Sequence, residues 1–317
     1  MATQRGRLMG RLLRILLPAC LALGGPASAQ SPPSLEVVVL GSGGPGAAGR
    51  AASCYLVLID GDARILVDAG PGSFARLGEA KIPLTTLDIV LLTHLHIDHV
   101  GELPGLFKAR AVSSSGPITF NVWGPEGSHL DAEGAYFPST RQFLELQFAA
   151  KGAFAYLRDF SAPLTLRAHD LPASPVANSK PRVIHREGAL SIAAIAGHHG
   201  DAPAVIYRID YAGRSVTFSG DIDASGLDDL RRIAGGSDLL VFNSVVLDPP
   251  GSPAVLYTLH TPPRAIGLAA KDSGVHALLL SHLSPAVDEM HDAVLQSIGR
   301  SYVGPVSFAQ DGMHIRP

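Results

Sequence analysis

The sequence predicts an α/β protein in which two β-sheets are sandwiched between helices. Three observations carry that reading. Short apolar runs of strand length recur along the chain, helix-like stretches fall between them, and polar residues suited to chemistry sit where the runs end. The runs are LEVVVL at 35–40, SCYLVLID at 53–60, ARILVDAG at 63–70, LDIVLLTH at 87–94 and ITFNVWG at 118–124. They continue with LSIAAIAG at 190–197, AVIYRID at 204–210, SVTFSGD at 215–221, DLLVFNS at 238–244 and VHALLLSH at 275–282. Many are apolar at successive positions, which reads as burial on both faces. Helical patterns are expected at 101–110, 228–233, 262–272 and 286–298, with Thr261 as cap and Pro262 in the first turn. About ten strands with interspersed helices favour two sheets over a single doubly wound one. The Pro- and Ser-rich stretch Leu171–Arg182 reads as an exposed loop, and no fixed-period repeat is present.

Residues 1–29 read as a secretory signal peptide. Arg5, Arg7, Arg11 and Arg14 form a basic start, an apolar run follows, and Ala27-Ser28-Ala29 supplies a small-residue cleavage pattern before Gln30. The apolar part is too short for a stable span, so cleavage would leave no membrane anchor. The expected product is one domain over 30–317, periplasmic or secreted. Setting aside the four leader arginines leaves 21 basic against 28 acidic residues, a net −7. That balance, without any Lys/Arg cluster, makes nucleic acid an unlikely partner. Cys54 alone survives cleavage, so no intrachain disulfide holds the core.

The densest chemistry lies in THLHIDHVGEL at 93–103, where His94, His96, Asp98 and His99 crowd behind an apolar strand. The chain has 13 histidines among 317 residues, and this one turn holds three. In extended chain, residues two apart point the same way, so His94, His96 and Asp98 would share one side while a turn redirects His99. Imidazole and carboxylate together suit zinc. Four ligands from one loop crowd a single tetrahedral ion, so two adjacent ions are expected, with further ligands from other strand ends. Those ends offer Asp68, His198 or His199, Asp221 and His282.

HLHIDH resembles the HxHxDH motif of the metallo-β-lactamase superfamily. GSGGP, LVDAGPG, a lone histidine, SGD and LSH accompany it in that family's order. Within the superfamily the likeness is to the ribonuclease Z and arylsulfatase-like branch, through VWGPEG, HG…PAVIYRID and LHTPPRAIGLAA ahead of LLLSHLSP. The resemblance implies a four-layer αββα sandwich and two Zn2+ per chain. One zinc would be held by His94, His96 and His199, the other by Asp98, His99 and His282, with Asp221 bridging. His198 is the rival of His199, which keeps the family's distance to Tyr207-Arg208. Asp68 would orient a ligand histidine. Asp98, Asp221 and His260 are the catalytic candidates, His260 as proton donor to the leaving oxygen.

Two zinc ions sharing a water lower its pKa toward ~7 and polarise the substrate oxygen. The expected activity is therefore hydrolysis of a small ester: a phosphodiester, a sulfate ester or a related anion. β-Lactam or lactone hydrolysis is the first alternative, a ribonuclease Z-like nuclease the second, and a non-catalytic zinc-binding protein the third. Export argues against transfer-RNA processing. So does the span of 22 positions from His199 to Asp221, which leaves no room for a long RNA-gripping arm. Asn243 stands where the family carries a glutamate beside the proton-delivering histidine, and an amide cannot take a proton as a carboxylate does. Tyr136, Phe137, Phe154 and Tyr156 are candidates for a substrate roof, and the loops of His169 and His185 for its flank. The sequence is compatible with a homodimer without specifying one.

Overall fold

The computed structural model describes residues 32–46, 49–129 and 136–317. The leader expected at 1–29 lies outside the described residues. The chain builds one sheet first. β1 (Leu35–Gly41), β2 (Cys54–Ile59) and β3 (Asp62–Val67) form an antiparallel meander. α1 (Ser73–Ala80) leads into β4 (Ile89–Leu91), and α2 (Ile97–Val100) with α3 (Leu103–Val112) lead into β5 (Ile118–Pro125). A short ribbon of β6 (Ser128–His129) and β7 (Tyr136–Phe137) and then α4 (Thr140–Phe148) precede β8 (Leu164–Leu171). From β3 onward the sheet is parallel, through β4 and β5 to β8.

The chain then crosses to the second sheet over the largely exposed loop at 172–181. β9 (Arg182–Glu187), β10 (Leu190–Ala196), β11 (Val205–Tyr211) and β12 (Arg214–Phe218) run antiparallel. After α5 (Leu227–Ala234) comes β13 (Leu239–Asn243), and after α6 (Pro263–Ser273) comes β14 (Ala277–Ser281). α7 (Pro285–Glu289) and α8 (His291–Ile298) precede β15 (Val306–Phe308). β12 to β15 are parallel. β16 (His314–Ile315) returns to pair with β1 in the first sheet. Each sheet is thus mixed and has seven strands.

Three apolar layers hold this together, which is what four stacked layers require. Val37, Val57, Ile65, Tyr207, Phe218 and Val241 fill the space between the sheets. Leu40, Leu56, Phe107, Phe120 and Phe148 pack the first sheet against α3 and α4. Ile206, Leu230, Ile266, Leu278 and Ile298 pack the second against α5, α6 and α8. β2 is buried at every position because it faces two apolar layers at once. The four-layer αββα expectation therefore holds.

Several local expectations change. α6 starts at Pro263, one residue later than expected, with Pro262 at the cap position. Thr261 does not cap it, because its Oγ1 donates instead to the buried Ile222 carbonyl at 2.8 Å. The helix expected over 286–298 is broken at Met290, whose backbone leaves the helical region. β8 and β9 carry no continuous apolar run: as edge strands they expose Arg167, Asp170, Arg182 and Arg186. α4 announces itself only through its capping box, Ser139 with Gln142.

Candidate metal centre

The expected site residues sit at the ends of strands that point the same way. β4 delivers Thr93 and His94, β10 is followed by His198 and His199, β12 by Asp221, and β14 by His282. Close approach of these ends depends on glycine. Gly220 has φ 58°, and a Cβ there would meet the Thr93 Cβ at 2.7 Å. A Cβ on Gly70 would meet the Asp98 carbonyl oxygen at 2.2 Å. The backbone also ties the two sheets here, since Val205 N–H donates to the Thr93 carbonyl at 2.8 Å. The Tyr207 hydroxyl donates to the Leu92 carbonyl at 3.0 Å.

The HLHIDH turn is extended only as far as His96, which occupies the cap position of α2. From Ile97 the backbone is helical, so Asp98 does not share a side with His94 and His96 as simple alternation predicts. It faces His282 Nε2 at 3.2 Å instead. Potential ligand atoms converge in four overlapping groups, each within 4.8 Å: His94/His96/His199, His94/His99/Asp221, Asp98/His99/His282 and His199/Asp221/His260. His199, not His198, enters these groups. His198 turns aside and pairs through Nδ1 with Asp223 Oδ2 at 2.7 Å.

Asp221 Oδ2 is the hub. His94 Nε2 lies 3.9 Å from it, His99 Nε2 3.6 Å, His199 Nε2 3.7 Å, His282 Nε2 3.6 Å and His260 Nδ1 3.8 Å. The other carboxylate oxygen, Oδ1, accepts from Asn243 Nδ2 at 2.7 Å. Neighbouring groups fix which histidine nitrogen faces inward. Asp68, fully enclosed, accepts from Thr93 N–H and Oγ1 at 2.8 Å each and faces His99 Nδ1 at 2.7 Å. That contact leaves the His99 Nε2 lone pair toward the hub. The Leu259 carbonyl does the same for His199 through Nδ1 at 2.7 Å.

Charge and burial pull in opposite directions. Burial by itself would raise the Asp221 carboxyl and lower the His99 imidazole. The histidines, His282 foremost, instead hold Asp221 well below the carboxylate range, and Asp68 with Asp221 lifts His99 well above the histidine range. Burial pushes His94 well below its ordinary value and His260 down to about 4. Asp98, despite partial burial, is held at about 2 by its hydrogen bond from His282.

These residues fit a pair of divalent cations. His94 Nε2 and His260 Nδ1 are buried with no hydrogen-bond partner among the described residues, a costly arrangement unless something takes their lone pairs. His99 Nε2 and His282 Nε2 face each other at 3.0 Å, and His199 Nε2 faces His96 Nδ1 at 3.3 Å. Opposed lone pairs at such range need a shared proton or cation between their fields.

The expected roof splits apart. Phe137 flanks the site, its ring centred 6.1 Å from that of His96. Phe154 packs on Phe148 in the outer core, Tyr156 on Phe160, and the Tyr136 hydroxyl donates to Gln142. His169 and His185 enclose Trp123 between the sheets. Sequence reasoning missed Thr93, the Leu259 carbonyl and the contact of Asn243 with Asp221. Thr93 adjoins the motif and Asn243 stood out by its departure from the family's glutamate, but the Leu259 carbonyl carried no local signal.

Residues 63–283 match the family described as the Beta-lactamase superfamily domain. The ribonuclease Z of Mycobacterium avium (strain 104) is 28% identical over 287 residues, covering 87% of this chain and 96% of that protein. Among solved structures, the metallo-beta-lactamase fold protein YhfI from Bacillus subtilis superposes with a TM-score of 0.65 at 22% identity, over 90% of this chain and 100% of that one. The short form of human tRNase Z gives 0.64 at 20% identity, over 88% and 98%.

Proposed function

The chain belongs to the metallo-β-lactamase superfamily and is a metal-dependent hydrolase, and from that premise we propose that it cleaves small anionic esters, phosphodiesters first, with two zinc ions. His94, His96 and His199 would hold one ion, Asp98, His99 and His282 the other, and Asp221 both. Five imidazole nitrogens at 3.6–3.9 Å around one carboxylate oxygen are the observation that carries this reading. When bound, two such ions supply Lewis acidity and water deprotonated near neutral pH.

The chain's own residues prepare the site for that chemistry. Asp68 and the Leu259 carbonyl keep the Nδ1 protons of His99 and His199 pointed away from the centre. Asn243 occupies Asp221 Oδ1, so Oδ2 alone faces the histidines. Phe137 and Ile97, the latter 77% exposed beside His96, offer apolar contact to whatever the anion carries. A small substrate is favoured because β11 and β12 are joined by Ala212-Gly213 alone, with no arm to grip a large one. Residues 1–29 support export of the enzyme to a periplasmic or extracellular space.

A second reading, ribonuclease action, rests on the Mycobacterium avium relative, which matches over nearly its whole length and is named ribonuclease Z. It sets aside the exclusion of nucleic acid drawn from charge. One panel separates the two: chromogenic phosphodiester, sulfate ester, lactone and cephalosporin substrates beside a transfer-RNA precursor, with bound metal quantified. Fastest turnover of the small phosphodiester supports the first reading, and cleavage of the RNA alone replaces it with the second.

A further inference from the structure

We propose that a small cavity beside the metal centre receives the leaving-group arm of the ester, and that this arm is a single ring carrying an acidic substituent. The proposal rests on the small-ester reading above and names the substrate class within it. The cavity has a volume of about 180 Å3 and lies between the crossover loop at 172–181 and the end of β10. Leu171, Val176, Ile184 and Ile195 give it apolar walls, and the exposed cations Lys180 and Arg182 complete the lining. Its place follows from the strand ends. Leu171 closes β8, which runs parallel to β5 and β4 and so ends on the same side as His94. Ala196 closes β10 just ahead of His198 and His199, and β9, antiparallel to β10, begins at Arg182. All of these ends therefore fall at the edge of the sandwich from which the site residues project.

Two connections tie the cavity to the rim of the centre. Ala196, on its wall, is three residues before His199, a reach of at most about 11 Å even in extended chain. On the other side Glu126 N–H donates to the Leu171 carbonyl at 2.8 Å, and Glu126 Oε1 accepts from Ala173 N–H at 3.3 Å. Gly127, next along, packs so closely that a Cβ there would meet the Phe137 carbonyl oxygen at 2.7 Å, and Phe137 borders His96. The loop is fastened, since Ser179 Oγ donates to Asp229 Oδ1 at 2.6 Å. The β9 ladder stops at Arg182 opposite Ala194, so no strand covers the last two residues of β10 on that side.

Size and charge choose the occupant. An apolar cavity of about 150 Å3 holds benzene, so this one matches a single ring. Val176 stays 64% exposed there, apolar surface that a ring would cover. Neither Lys180 nor Arg182 makes a side-chain hydrogen bond or ion pair among the described residues, on a chain whose acidic residues outnumber its basic ones 28 to 25. Two unpaired cations on the lining of an apolar slot suit a ring that ends in a carboxylate, sulfonate or phosphate.

The test uses the full zinc-loaded chain as wild type, as the double variant Lys180→Ser, Arg182→Ser, and as Ile184→Phe, which puts a ring of its own into the cavity. Calorimetric titration compares 4-hydroxybenzoate, phenol and inorganic phosphate. The wild type should bind 4-hydroxybenzoate more tightly than phenol, and the double variant should lose about tenfold of that affinity, the sum of two exposed ion pairs. Ile184→Phe should weaken 4-hydroxybenzoate to a similar extent and leave phosphate, which has no ring, as in the wild type. The ratio of kcat/KM for methyl 4-carboxyphenyl phosphate over methyl phenyl phosphate should fall in the double variant, a ratio from which metal content cancels. 4-Hydroxybenzoate bound no more tightly than phenol, or bound equally by all three proteins, would overturn the proposal and leave the ester reading intact. A wild type that hydrolyses no phosphodiester would overturn that reading and the proposal with it. Far-ultraviolet circular dichroism establishes that each variant is folded, and the double variant, which alters exposed residues alone, decides the matter should Ile184→Phe not fold.

Discussion

The first sheet supplies His94, His96, Asp98 and His99 from one continuous turn, whereas the second sheet and its loops supply His199, Asp221, His260 and His282 one at a time. The turn is held locally. Asp68, just past the end of the neighbouring strand β3, grips both Thr93 and His99. The scattered groups have no shared support of that kind. Each depends on the end of a different strand or helix, and they meet only because those elements are packed side by side. Half the centre is therefore a motif and half is a product of packing, and the second half should fail more readily when packing is disturbed.

The largest expected effect falls on the hub. Asp221→Ala removes the carboxylate proposed to serve both ions, so turnover should drop by at least about 10³-fold and bound metal should fall below two per chain. Retention of both ions, with activity intact, would break the picture of a shared anion. Next come the supports. Asp68→Asn should weaken metal binding by about 10–100-fold, because the amide cannot hold both Thr93 and His99 as the carboxylate does. Asn243→Ala, which frees one oxygen of Asp221, should cost nearer tenfold in the same titration. The reverse order would mean that the turn needs less outside support than the scattered half.

A smaller effect tests the join between halves. Gly220→Ala places a methyl against Thr93 at a left-handed position, and should destabilise the fold by about 1–3 kcal/mol. Thermal unfolding of the metal-free protein should register this as a fall of roughly 2–4 °C per kcal/mol. The smallest change is Phe137→Ala at the rim. It should raise KM a few-fold for substrates with an apolar leaving group and leave kcat unchanged, since Phe137 meets the centre at the His96 ring, 6.1 Å between ring centres.

Central strands and the motif were open to reading from sequence for the same reason: each is a local pattern of strong contrast. LEVVVL and ALLLS are apolar at successive positions because two layers cover them, and HLHIDH concentrates rare side chains in one turn. β8 and β9 escaped because edge strands alternate charged and apolar residues like ordinary surface. Asp98 was assigned to the wrong side because the helical turn at Ile97 has no signal strong enough to override simple alternation.

By itself the sequence determined the layered α/β plan, the identity of most residues that meet at the centre, and the mix of imidazole and carboxylate they bring there, since side-chain chemistry and hydrophobic period are properties of neighbours along the chain. Tertiary structure alone decided that His199 turns inward while His198 turns to Asp223, that Asn243 serves Asp221, and that His260 lies buried 3.8 Å from the hub. Those are questions of distance between segments far apart in the chain. Such distances are set by how β10, β12, β13 and β14 stack, not by anything adjacent to the residues themselves.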